Sequence, residues 1–84
     1  MSSRQKMLNR LLLRPKDYTY SELRTLLGKL GYMEDNKGKT SGSRVSFYNK
    51  QKKVVSVHKP HPGNELKRYV IDLIIDSLRR NGDL

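Results

Sequence analysis

The apolar residues of this chain change their spacing twice, from a helical period to an alternating one and back, and few folds accommodate that order. In SSRQKMLNRLLLRPKD, Met7, Leu8, Leu11 and Leu12 fall on one helical face, and Pro15 discourages the helix from running past Arg14. A short helix over about 3–14 is expected. In TYSELRTLLGKLGY, Leu23, Leu26, Leu27 and Leu30 repeat at i, i+3, i+4 and i+7. Thr19 or Ser21 offers an N-cap, Thr19 and Glu22 stand at capping-box spacing, and Gly31 supplies the stop. Gly28 costs this helix about 1 kcal/mol relative to alanine, which suggests a close approach to a sheet at that point.

From Tyr32 the period is two. YMEDNKGKTSGS holds an edge strand and a glycine-rich loop, RVSFYNK a second strand and VVSVHK a third. Residues 49–52 make a polar hairpin connection, and Pro60 and Pro62 end the third strand because neither can donate to a ladder. NELKRYVIDLIIDSLRR returns to the helical period, with Asn64 as the expected cap, Glu65 in the first turn, Arg79 and Arg80 in the last, and Gly82 beyond. Ile71, Ile74, Ile75 and Leu78 form its buried face; Arg68, Asp72, Asp76 and Arg80 form a solvated stripe.

Alternation sends Val45, Phe47, Val55 and Val57 to one face of the sheet, against which the helices can bury their leucines and isoleucines. The expected fold is α+β in two layers: a three-stranded antiparallel sheet with helices packed on one face, in the order α-α-β-β-β-α. The other face then carries Arg44, Ser46, Tyr48, Ser56 and His58, with Val54 as its aliphatic exception. In many antiparallel sheets such a face is simply solvated.

At 84 residues one domain is expected across 1–84, an extra N-terminal helix preceding a core of about 17–80. Without cysteine no disulfide forms, and His58 and His61 beside carboxylates are too few ligands for a structural zinc, so neither metal nor cofactor is expected. Leu11 to Leu13 is too brief for a signal core or a membrane span, and the expectation is a cytoplasmic protein with no membrane partner.

Eighteen Lys and Arg against eight Asp and Glu give a formal charge of +10. A field of that size on a small domain gathers polyanions within a Debye length, about 8 Å in physiological salt. Its distribution says more. From Asn36 through Asn64 there is no Asp or Glu, while Lys37, Lys39, Arg44, Lys50, Lys52, Lys53 and Lys59 all lie inside, locally unopposed. Lysines also guard strand edges against aggregation, and an acidic protein could use the same patch; nucleic acid is the favoured reading.

Metal hydrolysis needs clustered carboxylates and histidines, and GKTSG lacks the P-loop spacing and precedes a strand rather than a helix. What remains is metal-free ribonuclease chemistry. A base takes the proton of a 2′-hydroxyl, cations stabilise the crowded phosphate, and an acid protonates the leaving oxygen. Histidine suits both proton transfers near neutrality. His58 ends the third strand on the open face, where it is otherwise an ordinary surface residue. His61 sits in HKPHPG, where a turn histidine commonly bonds backbone instead. NELKRY adds a phosphate site from helix-start donors with Lys67 and Arg68.

The residues DYTYSELRTLLGKLGY, KTSGSRVSF and HKPHPGNELKRYVIDLI together resemble the HicA family of toxins from bacterial and archaeal toxin–antitoxin modules, over about 17–78. The resemblance implies a fold like the double-stranded RNA-binding domain. It also implies metal-independent cleavage of mRNA that arrests translation, and a HicB antitoxin that holds the toxin inactive. One residue departs from the family pattern: the histidine usually found directly after Gly-Ser, taken to be catalytic, is Arg44 here. An arginine stays protonated and can clamp a phosphate but cannot serve as a base.

The sequence reading is therefore an endoribonuclease toxin with Arg44 as clamp, His58 first and His61 second as proton-transfer candidates, and Lys37, Lys39, Ser43, Lys59, Lys67 and Arg68 along the RNA backbone. Its partners are mRNA and an acidic HicB-type antitoxin. Recognition is expected to be mostly of shape and phosphate, with Tyr48 as a single stacking platform. The alternatives are a non-catalytic RNA-binding module of the same fold and a ribosome-associated structural protein.

Overall fold

The computed structural model describes residues 3–35, 44–60 and 63–84. The elements are α1 (Ser3–Leu12), α2 (Tyr20–Lys29), β1 (Met33–Asp35), β2 (Arg44–Tyr48), β3 (Val54–His58) and α3 (Arg68–Asn81). The strands form one antiparallel sheet in the order β1-β2-β3. The architecture is the α+β arrangement that the change of period implies.

Two-residue alternation decides which side of the sheet is covered. Val45, Phe47, Val55 and Val57 are buried and pack with Leu23, Leu26 and Leu27 of α2 and Val70, Ile71, Ile74, Ile75 and Leu78 of α3. Burying side chains of this size is worth about 1.5–3 kcal/mol each, which makes this single cluster the main source of stability.

The first helix joins the core through Leu8 and Leu11, with Met7 packed at its margin. It ends at Leu12, two residues short of the expected limit. Arg14, kept from the α region by the proline that follows, takes φ 52° instead. Its guanidinium grips Asp72 of α3 through both oxygens, Nε–Oδ1 2.6 Å and Nη2–Oδ2 2.9 Å. Leu12, expected on the buried face, is exposed, because the core contact of so short a helix narrows to Leu8 and Leu11.

The capping box of α2 forms as its spacing implies. Thr19 Oγ1 accepts from the Glu22 N–H at 3.1 Å, and Glu22 Oε1 accepts from the Thr19 N–H at 3.2 Å. Glu22 also receives Arg10 Nε at 2.6 Å; that bond, more than the capping one, holds its carboxyl below the usual carboxylate range. Removing the cap with Thr19→Ala should cost about 1 kcal/mol, read as a lower urea midpoint with an unchanged slope. Gly31 ends the helix at φ 96°, a conformation suited to glycine. Gly28 does not mark a close approach to the sheet. It is exposed, with nothing within 4 Å of where a Cβ would stand.

The last helix starts later than its cap-like sequence implies. Residues 64–66 are committed to a short extended pairing with residues 18–20. Tyr20 N–H donates to Asn64 O and Leu66 N–H to Tyr18 O, both at 2.8 Å, around a Thr19–Glu65 bridge. Backbone used that way cannot open a helix, so Asn64 is not the cap and Glu65 is not in the first turn. Lys67 is the N-cap and makes no side-chain capping bond. At the other end Gly82 closes α3 at φ 90°. Beyond it the Tyr32 hydroxyl donates to Asp83 at 2.6 Å; burial first, then that bond, pushes the phenol up to about 12.

Candidate functional site

With the helices on one side, the opposite face of the sheet lies open, and the strand register orders it into three rows. At one end Arg44 of β2 stands directly opposite His58 of β3. In the middle Asp35, Ser46 and Ser56 align across all three strands. At the hairpin end Met33, Tyr48 and Val54 align in the same way. Arg44, Tyr48, Val54, Ser56 and His58 are all exposed. Directly opposed residues of an antiparallel pair have Cβ atoms about 5 Å apart, so one small anion can be reached by Arg44 and His58 together.

This is closer than alternation by itself could specify. Period two places both residues on the open face, but their opposition depends on the hairpin. Residues 49–53 make that turn: the Asn49 side chain accepts from Gln51 N–H and Lys53 N–H, both at 2.9 Å, and Lys52 adopts φ 65°. Its register then pairs Tyr48 with Val54 and, four residues on, Arg44 with His58.

The charges are distributed in a way that favours an anionic visitor. Among the described residues, ion pairs occupy Arg10, Arg14, Arg24 and Arg80, all outside the sheet. Among the described residues no carboxylate pairs with Arg44, Lys50, Lys52, Lys53 or Lys59. Two of these cations are held by neutral groups. Lys53 Nζ donates to the Asn81 carbonyl at 3.1 Å, and Lys59 Nζ lies 5.6 Å above the Tyr20 ring. Asp35, in the middle row, is the acidic residue of the open face.

Lys67 and Arg68 stand apart from this group. They belong to the start of α3, in the helical layer, and line an open depression of about 820 Å³ with Lys16, Thr19 and Glu65. Arg68 Nε donates to the Arg14 carbonyl at 3.3 Å. Lys16 was not singled out from the sequence, and no local signal marks it; the pairing of residues 18–20 with 64–66 brings it there. The sequence also missed Met33, 76 % exposed, because the open face was read from β2 and β3 alone. Lys37, Lys39, Ser43 and His61 lie outside the described residues.

The fold is a small α+β domain whose helices cover one sheet face and whose other face carries the opposed Arg44 and His58. Residues 20–80 match the family model described as HicA toxin of bacterial toxin-antitoxin, and the chain belongs to that family. The match runs from the first residue of α2 to the last turn of α3 and so contains both the Arg44–His58 pair and the α3 start. No curated protein and no solved structure matches the chain. No helix among the described residues is long and apolar enough to cross a membrane.

Proposed function

We propose that this HicA-family toxin is a cytoplasmic, metal-independent endoribonuclease that cleaves mRNA on the open face of its sheet, inhibiting translation. The observation that supports this reading most directly is the opposition of Arg44 and His58 on an exposed surface. In this scheme the Arg44 guanidinium forks onto the non-bridging oxygens of the scissile phosphate and neutralises the charge that builds in the transition state. His58 takes the proton of the adjacent 2′-hydroxyl as its oxygen bonds to phosphorus. The bond to the 5′-oxygen breaks, and that oxygen leaves with a proton for which His61 is the candidate donor. The products are a cyclic 2′,3′-phosphate and a 5′-hydroxyl. From this pair the rest of the sugar-phosphate chain continues past Lys59, just beyond β3, and around the sheet to Lys67 and Arg68 at the start of α3, with Lys37, Lys39 and Ser43 as further contacts.

An acidic HicB-type antitoxin is the proposed regulator, since a protein that covers the cationic face removes both the substrate site and the repulsion among its charges. The second reading, a non-catalytic RNA-binding module, draws on one observation: the residue after Gly42-Ser43 is an arginine, which cannot act as a base.

Cleavage of a long RNA by pure protein in excess chelator separates the two. The expected result is fragments bearing 5′-hydroxyl ends, lost on addition of the antitoxin. Tight binding with intact RNA at every pH tried is the result that assigns the protein to the second reading.

A further inference from the structure

The row at the hairpin end of the open face has no part in the chemistry above. Met33, Tyr48 and Val54 lie side by side across the three strands, 76 %, 43 % and 41 % exposed. Exposed apolar side chains are ordinary when scattered singly, but here three are aligned in register around one aromatic ring. Beside the ring is an open depression of about 660 Å³, lined by Met33 and Tyr48 together with Gly31, Glu34, Asp35, Asn49 and Lys50. That is within the size range of small-ligand sites, and its two carboxylates can accept from the exocyclic amino group of a base stacked on the ring.

The platform is also held firmly. Asn49 fixes the turn beyond Tyr48 through two backbone bonds. Asn81, at the end of α3, donates to the Val54 carbonyl at 3.2 Å and to the Tyr32 hydroxyl at 2.9 Å. These bonds fix the backbone that carries Tyr48 and Val54, so a ligand stacking there has little main chain to order.

We propose that Tyr48, flanked by Met33 and Val54, is a nucleobase-stacking subsite, which receives a base a few nucleotides away from the phosphate gripped by Arg44. The proposal rests on the RNA-cleaving or RNA-binding reading of the same face. Four residues of strand separate Tyr48 from Arg44, about 13 Å, so the base belongs to a different nucleotide from the reacting one. A base is favoured over an apolar protein segment on two grounds. Three side chains fall far short of the roughly 800 Å² per partner of a stable protein interface. The neighbouring Lys50 and Lys52, which have no carboxylate partner among the described residues, suit a chain that brings its own phosphates. The inference extends the expectation of Tyr48 as a single stacking platform by adding Met33 and Val54 beside it and a fixed distance from the Arg44 phosphate, which gives the protein a reading point along the strand.

The test uses 2′-O-methyl oligonucleotides, which cannot supply the nucleophile, with an abasic residue placed at each position in turn. For the wild-type chain one abasic position should weaken binding by about 5- to 140-fold, the range measured for a single stacked base. Tyr48→Ala should bind the intact oligonucleotide that much more weakly and become indifferent to the abasic position; Tyr48→Phe should behave as wild type. Because Tyr48 is largely outside the core, the circular-dichroism melt of both variants should match wild type. If Tyr48→Ala binds intact oligonucleotide as tightly as wild type, the subsite is refuted while RNA binding stands. If wild type does not bind the intact oligonucleotide, the subsite and the RNA reading fall together. Self-association of the wild type that disappears in Tyr48→Ala, with RNA affinity unchanged, assigns the row to a second copy of the chain and also overturns the proposal.

Discussion

His58→Ala should lower RNA cleavage by about 10²- to 10⁴-fold, the usual contribution of a positioned proton-transfer group, and leave affinity for an uncleavable RNA unchanged. The split between the two readouts is what gives the prediction its force. His58 is exposed at the end of β3, outside the core, so its loss should not disturb folding. Arg44→Ala should behave differently, weakening both binding and cleavage, because a clamp acts on ground state and transition state alike. Should His58→Ala cleave normally while His61→Ala does not, the proton transfer belongs to His61 and the cross-strand pair is only a binding element. Kinetics and binding on the same preparations, in excess chelator, decide between these.

The second large effect concerns α1, which lies outside the residues 20–80 that match the family. Leu11→Ala should cost about 2–5 kcal/mol, the range for large-to-small changes in a closed core, seen as a lower urea midpoint. Leu11 is completely buried in the same cluster as Leu23 and Leu78. Arg10, one residue away, reaches Glu22 and Asp17, and Arg14 beyond it reaches Asp72. In a domain whose total stability is about 5–15 kcal/mol, such a loss removes a large share of the total. A negligible effect would mean that α1 is an appendage and that the domain is complete without it.

How far the sequence could be read depended on the range of the forces involved. Leu23, Leu26, Leu27 and Leu30 signal α2, and Thr19 with Glu22 its start, because period and capping are local and one residue type does one job. The alternation of Val45, Phe47, Val55 and Val57 sorts the two sheet faces for the same reason. The start of α3 was misread because Asn64 and Glu65 are locally good helix openers, and only the distant partners Tyr18 and Tyr20 draw that backbone into an extended bridge. Gly28 was misread in the opposite sense, as a contact that is not there. In the candidate site, Arg44 and His58 were each visible as residues, but their direct opposition is a matter of register, which the turn at residues 49–53 decides. Tyr48 and Val54 were likewise visible on the open face, but their alignment with Met33 joins three separate stretches of chain and depends on the register of β1 as well.

The most direct test of the central claim, that RNA lies on the open sheet face, is an amide chemical-shift titration of isotope-labelled protein with a 2′-O-methyl oligonucleotide. The account predicts saturable shifts at Arg44, Ser46, Ser56 and His58, with the outer stripe of α3 at Asp72 and Asp76 unmoved. Shifts confined to α1 and α3, with β2 and β3 silent at saturation, would contradict it.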